Sequence, residues 1–145
     1  MAYNRQAHTP VWFWIGAVFA LIWNSFGLAA YASEVTMSAG DFARLTAVEQ
    51  NLFANRPFWA SAAFAVAAIT GFLGAVMLLL RRPITVRLFL LSLISVLVQF
   101  SSFFILDGYT EYFDLAGWFM QLLILVLAII FFIFAHWAEK SRIIE

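Results

Sequence analysis

Two apolar runs joined by three residues decide the fold: FWASAAFAVAAITGFLGAVMLLL (residues 58–80), RRP (81–83) and ITVRLFLLSLISVLVQFSSFFIL (84–106). A helix rises about 1.5 Å per residue, so either run is long enough to cross a hydrocarbon core of about 30 Å. The linker suits a sharp reversal. Pro83 cannot continue a helical hydrogen-bond ladder, and Arg81 and Arg82 belong at a headgroup surface rather than in lipid.

Two more runs of similar length flank this pair, Val11 to Ala32 and Leu115 to Trp137. None of the four contains Lys, Asp or Glu, and Arg87, at the start of the third, groups with the Arg81-Arg82-Pro83 connection. The 145-residue chain is 65% hydrophobic and 11% charged, with a mean hydropathy of +0.94. Soluble domains carry about 25% charged residues, so the composition points to a membrane. The expected fold is an all-α, four-transmembrane-helix antiparallel bundle forming one membrane domain over residues 1–145. The first run has Arg5 ahead of it and a small-x-small Ala30-Tyr31-Ala32 near its end, as a cleaved signal would. It is too long for a signal core and is expected to be retained.

Charge sets an expected orientation. Arg5, Arg81, Arg82, Arg87, Lys140 and Arg142 fall on one side, against Arg44 and Arg56 on the other. The acids lean the opposite way, with Glu34, Asp41, Glu49, Asp107, Glu111 and Asp114 facing Glu139 and Glu145. Basic loops stay in the cytoplasm, so both termini are expected inside and an acidic face outside. Trp12, Trp14 and Trp137 then mark the inner interface, and Tyr31, Trp59, Tyr109, Tyr112 and Trp118 the outer one. Trp23 alone lies near mid-membrane, where its indole N–H needs a partner.

The one long connection, residues 33–57, carries Ser38-Ala39-Gly40-Asp41, a helix-start pattern, and apolar residues at helical spacing from Phe42 to Leu52. Asn55-Arg56-Pro57 ends it. A short amphipathic helix over about 41–54 is expected to lie on or cap the bundle. The connection between the third and fourth runs, opening at Asp107-Gly108-Tyr109-Thr110, is expected to be tight.

In a bilayer, helices associate through small residues and side-chain hydrogen bonds. Every run has such a stripe: Gly16, Ala20, Asn24 and Gly27; Ala63, Ala67, Gly71 and Gly74; Ser92, Ser95, Gln99 and Ser102; Gly117, Gln121, Ala128 and Ala135. Counting about 1.5 Å per residue, Asn24, Gln99 and Gln121 lie about 4, 6 and 7 Å outward of their midpoints. Three amides on three inward faces thus share one level, with Trp23 and Thr70 near it. Unpaired in lipid, each amide would cost several kcal/mol. They therefore meet each other, which is packing glue, or line a small polar cavity in the outer half that binds a neutral solute or a lipid headgroup through the amides and Trp23.

Much chemistry is excluded. With no cysteine there is no disulfide, thiolate nucleophile or cysteine-held metal. No carboxylate lies inside the runs for proton or sodium coupling. The small multidrug resistance transporters, comparable in size, depend on a Glu in their first helix, where this chain offers only Asn24. His8 and His136 read as interfacial residues rather than haem ligands. Asp107, Glu111 and Asp114 read as a solvated acidic loop rather than a cation site. No catalytic residue, metal, cofactor or nucleic-acid partner is expected.

Trp23-Asn24, Val35-Thr36-Met37-Ser38, the stretch Pro57 to Ala65 and the run from Gly71 to Arg82 resemble a group of small bacterial four-helix membrane proteins. They have no assigned function, and some are loosely labelled sugar transporters. The resemblance implies a bundle in a bacterial inner membrane. Two functions stay open. One is a non-catalytic protein that forms a homo-oligomer or serves as an accessory subunit of a membrane complex, suggested by the small-residue stripes. The other is a facilitative carrier of a neutral solute such as a sugar, using the three amides. An enzyme acting on lipid lacks an activated nucleophile or base.

Overall fold

The structure, a computed structural model, describes residues 9–106 and 114–145. Six helices and no strand occur among them: α1 (Val11–Val35), α2 (Ala39–Arg44), α3 (Ala47–Asn55), α4 (Phe58–Leu79), α5 (Ile84–Ile105) and α6 (Leu115–Lys140). Four of these, α1, α4, α5 and α6, are long and apolar enough to cross a membrane. This is the architecture of a multi-pass membrane protein. The end carrying α2 and α3 is called the loop end, and the end carrying Arg81–Pro83 the hairpin end. Arg5, His8, Tyr109, Glu111, Tyr112 and the connection from Asp107 lie outside the described residues.

The helix limits follow local chemistry. α1 runs three residues past Ala32 to Val35, because no breaker interrupts it. Thr36 then closes it, donating from both its N–H and its hydroxyl to Ala32 O, at 3.0 and 2.7 Å. α4 begins directly after Pro57 and α5 directly after Pro83. Asp114 caps α6 by accepting from Gly117 N–H at 2.8 Å, and α6 continues past Trp137 to Lys140.

The single loop helix expected over 41–54 is present as two short ones. Ser38 caps α2, accepting from Asp41 N–H at 3.1 Å. Leu45 and Thr46 then turn extended (ψ 152° and 156°), and Thr46 restarts the chain as α3 through a reciprocal capping box with Glu49. The two hydrogen bonds of that box satisfy donors a continuous helix would have paired internally, so the break is inexpensive. Gln50 Nε2 donates to Phe42 O and Leu45 O, at 3.2 and 3.0 Å, which fixes the bend.

α4 packs against α1 on one side and α5 on the other, and α5 packs against α6. The buried face of α4 is small residues: Ala60, Ala63, Ala67, Ala68, Gly71, Gly74 and Ala75, with Leu78 at its end. Lipid offers apolar side chains as good a surrounding as another helix does, so close backbone approach is what holds such an interface. Opposite faces expose large apolar side chains, among them Ile22, Leu73, Ile94 and Ile133, as lipid contact requires.

The hairpin end is packed solid. Phe13, Ala17 and Ala20 of α1, Leu78 of α4, Phe89 of α5, and Phe131, Ala135 and Ala138 of α6 form one buried cluster with Ile143 and Ile144. Arg81 and Arg142 both adopt left-handed backbone (φ 55° and 54°) just past α4 and α6. Each permits the same C-terminal motif, Arg82 N–H to Met77 O and Ile143 N–H to Ala138 O, both 2.9 Å. The two ends are joined to each other: Arg81 Nε donates to Ile143 O at 2.7 Å, and Glu145 N–H donates to Arg81 O at 3.2 Å. Nothing in the apolar pattern announces this, because residues 141–145 follow the last apolar run.

Candidate functional site

The loop half of the bundle is not packed solid. A cavity of about 650 Å³ lies between α1, α4, α5 and α6 under α3. That volume falls within the range of small-molecule sites, about 300–1,000 Å³. Asn24, Gln99 and Gln121, from α1, α5 and α6, all line it, and so does Trp23.

The amides do not pair with one another. Asn24 Nδ2 donates to Ala20 O of its own helix at 2.8 Å, and its second N–H and its oxygen form no hydrogen bond among the described residues. Among the described residues, no hydrogen bond forms at the side-chain amides of Gln99 and Gln121 or at the indole N–H of Trp23. Two hydroxyls complete the polar wall. Ser92 donates to Ala67 O across the α4–α5 interface at 2.9 Å, and Ser102 donates to Gln99 O at 2.6 Å. Both retain oxygen lone pairs for a guest. Rings supply the rest of the wall, with Phe64, Phe89, Phe103 and Phe131 prominent.

Asn24 is set by backbone proximity. Its oxygen occupies the space beside Gly71 that a Cβ there would need, and that Cβ would also come within 3.1 Å of Ser92 Oγ. Gly71 thus draws an α1 amide and an α5 hydroxyl onto the α4 backbone. Gly74, one turn on, takes Phe89 against it in the same manner, at 3.1 Å.

Other stripe residues divide between packing and lining. Ala20, Ala63, Ala67, Ser92, Ser95 and Ser102 are buried, and Gly16 is covered by the Phe134 ring, 2.7 Å from where its Cβ would stand. Gly27 differs: nothing lies within 4 Å of its Cβ position, and it lines the cavity rather than a helix contact. Gly117 is half-buried in the first turn of α6 and donates to the Asp114 cap. Thr70 does not line the cavity; its hydroxyl donates back to Val66 O at 2.6 Å.

The two ends of the cavity are closed differently. Its floor is Phe89 and Phe131, buried and stacked at 5.9 Å between centroids, and the solid hairpin-end cluster lies beneath them. Its roof is α3, which contributes Glu49, Leu52 and Phe53, together with Arg56. Arg56 forms an ion pair with Glu34 at the end of α1, with each side chain about one-fifth exposed, and its guanidinium sits 5.0 Å over the Phe53 ring. The pair ties the roof to α1. Sequence reasoning did not single out Arg56, Glu34 or Glu49 as site residues, since each counts there only as a loop charge.

His136 stacks on Phe132 and faces Glu139 at 3.9 Å, with about half its side chain exposed. His8 lies outside the described residues. Among those residues no group of three His, Asp or Glu side chains is placed to hold a metal.

Fold and cavity together define a helical membrane protein with a mostly apolar chamber carrying a few polar groups in one half and a sealed core in the other. No protein-family model, curated protein or solved structure matches the chain.

Proposed function

We propose that this is a non-catalytic membrane protein that binds a neutral, hydrogen-bonding molecule inside its bundle. One observation carries the reading: three amides from three helices line a single void without bonding to each other. Amides used as packing glue would pair and exclude space. Amides held apart around a chamber offer donors and acceptors without charge, the complement of hydroxyls, carbonyls or esters.

The closed floor favours binding over passage. A facilitative carrier would have to unpack the Phe89–Phe131 stack and the cluster below it for each turnover. The small-residue stripes speak less for oligomerisation than they do in the sequence, because α1, α4 and α5 use most of theirs within one chain. The charge asymmetry supports an orientation with both termini in the cytoplasm and the chamber in the outer half, in a bacterial inner membrane as the resemblance implies.

Native mass spectrometry on protein extracted in mild detergent tests the reading. Wild type is expected to retain a bound neutral molecule. Amide hydrogen bonds between membrane helices are worth about 0.6–2 kcal/mol each. The triple variant Asn24→Leu, Gln99→Leu, Gln121→Leu should therefore lose retention by about tenfold or more. Equal retention in both would sink the proposal.

A further inference from the structure

We infer that the cavity is entered sideways, from the leaflet at the loop end, and that its occupant is an uncharged lipid whose headgroup carries hydroxyl or ester oxygens. The inference rests on the chamber being a binding site for a neutral molecule, and it names the ligand class and the route.

The route follows from which walls are closed. The floor is the Phe89–Phe131 stack over the buried core. The roof is α3, tied down by Arg56 to Glu34. Three sides are helix pairs in close contact: α1 with α4, α4 with α5, α5 with α6. The fourth side, between α1 and α6, is different. Those helices are bridged by rings at the hairpin half, Trp12 to Trp137, Phe13 to Phe134 and Phe19 to Phe131, with centroids 4.5 to 6.0 Å apart. Beyond Phe131 the facing residues line the void instead. Phe26 of α1 and Met120 of α6 do so while 69% and 48% exposed on the outer surface of the bundle. A side chain that touches both the chamber and the surroundings marks an opening. This one lies between membrane-spanning helices, at hydrocarbon depth.

The class of ligand follows from the walls. A water-soluble solute reaching this opening must first dissolve in lipid, at a cost its hydroxyls make prohibitive. A lipid is already there, and its acyl chains can stay in the bilayer while its head turns in. The wall holds amides, hydroxyls and rings. Among the described residues, the ionisable groups at the roof are Arg56, Glu34 and Glu49, and Arg56 is engaged by Glu34. A phosphate group would enter a low-dielectric chamber with no excess positive charge to receive it. A glycerol hydroxyl or ester finds matching donors and acceptors in Asn24, Gln99 and Gln121.

The test uses full-length protein in phosphatidylcholine nanodiscs with a diazirine-bearing diacylglycerol, or a phosphatidic acid carrying the same diazirine chain. After irradiation, labelled residues are mapped by mass spectrometry. The diacylglycerol is expected to label residues 23–30 and 120–128 at least about fivefold above the exposed face of α5 around Ile94, the ratio that one amide hydrogen bond supports. The phosphatidic acid should show no such excess. Gly27→Phe fills the chamber where no atom now stands, and should abolish the excess while leaving labelling at Ile94 unchanged. Gln99→Leu with Gln121→Leu, which keeps the volume, should lower it as well.

Uniform labelling around the bundle, or an excess that survives Gly27→Phe, overturns the inference. A parallel arm adds glucose or glycerol and follows tryptophan fluorescence. A saturable response lost in Gly27→Phe, without lipid labelling, would leave the chamber a binding site and refute lateral lipid entry. Silence in both arms would refute the chamber reading too.

Discussion

The side-chain oxygen of Asn24 occupies the space that a methyl group on Gly71 would need, so these two residues set how closely α1 approaches α4. The same glycine faces Ser92, whose hydroxyl bonds Ala67 O on α4. Gly71→Ala must therefore displace Asn24 and press on Ser92. Overpacking of this kind costs about 1–3 kcal/mol. A lowered thermal midpoint in detergent is expected, together with weaker ligand retention. Asn24→Ala should restore stability to Gly71→Ala without restoring retention, which a double-mutant cycle would read out.

Two glycines of α1 should respond oppositely to the same change. A Cβ on Gly16 would lie 2.7 Å from Phe134 Cζ, whereas one on Gly27 would meet nothing within 4 Å. Gly16→Ala should destabilise by about 1–3 kcal/mol through the displaced ring. Gly27→Ala should be neutral or stabilising by up to about 1 kcal/mol, since alanine is the better helix former. Parallel thermal melts compare the two.

Arg56 and Glu34 hold the roof to α1. Hydrogen bonds to charged groups contribute about 1.5–3 kcal/mol, and less where water competes. Glu34→Gln or Arg56→Met should loosen α3 and expose the Leu45-Thr46 bend to proteolysis. The exchanged pair, Glu34→Arg with Arg56→Glu, should recover part of the protection. Limited proteolysis of wild type and the three variants provides the measurement.

Thr85, in the first turn of α5, is fully buried, and its hydroxyl has no hydrogen-bond partner among the described residues. Burying an unpaired hydroxyl costs about 1–3 kcal/mol. Thr85→Val keeps the shape and removes the polar atom, so it should stabilise the protein by about 1 kcal/mol. A melt that falls instead would refute an unpaired hydroxyl at this position.

Because the chain has no cysteine, single introduced thiols report sidedness cleanly. Ser38 precedes α2 at the loop end, and Ser141 follows α6 at the hairpin end. In intact spheroplasts, a membrane-impermeant maleimide should label Ser38→Cys and spare Ser141→Cys. The reverse pattern would invert the proposed orientation.

Much of the local structure was legible in the residues. Pro57 and Pro83 start α4 and α5, Ser38 caps α2, and Ala63, Ala67, Gly71 and Gly74 mark the inward face of α4. The second loop helix was also visible in principle, because Thr46-x-x-Glu49 has the same capping form as Ser38-x-x-Asp41. It was masked by the continuous apolar spacing from Phe42 to Leu52. Thr70 sits at the right depth but points elsewhere, since depth along a helix says nothing about rotation about its axis.

Sequence alone determined that four helices are long and apolar enough to cross a membrane and that the inward faces of three of them, α1, α5 and α6, carry amides at one level. These follow from length, charge and a 3.6-residue period, all properties of single segments. Whether those amides would meet or stand apart was decided by tertiary structure. Rings at Phe13, Phe19, Phe131 and Phe134 bridge α1 and α6 at one end, while Gly71 draws Asn24 toward α4 near the other. The chamber left between them belongs to no segment: it is the space that four helix faces cannot fill once their closest contacts are made.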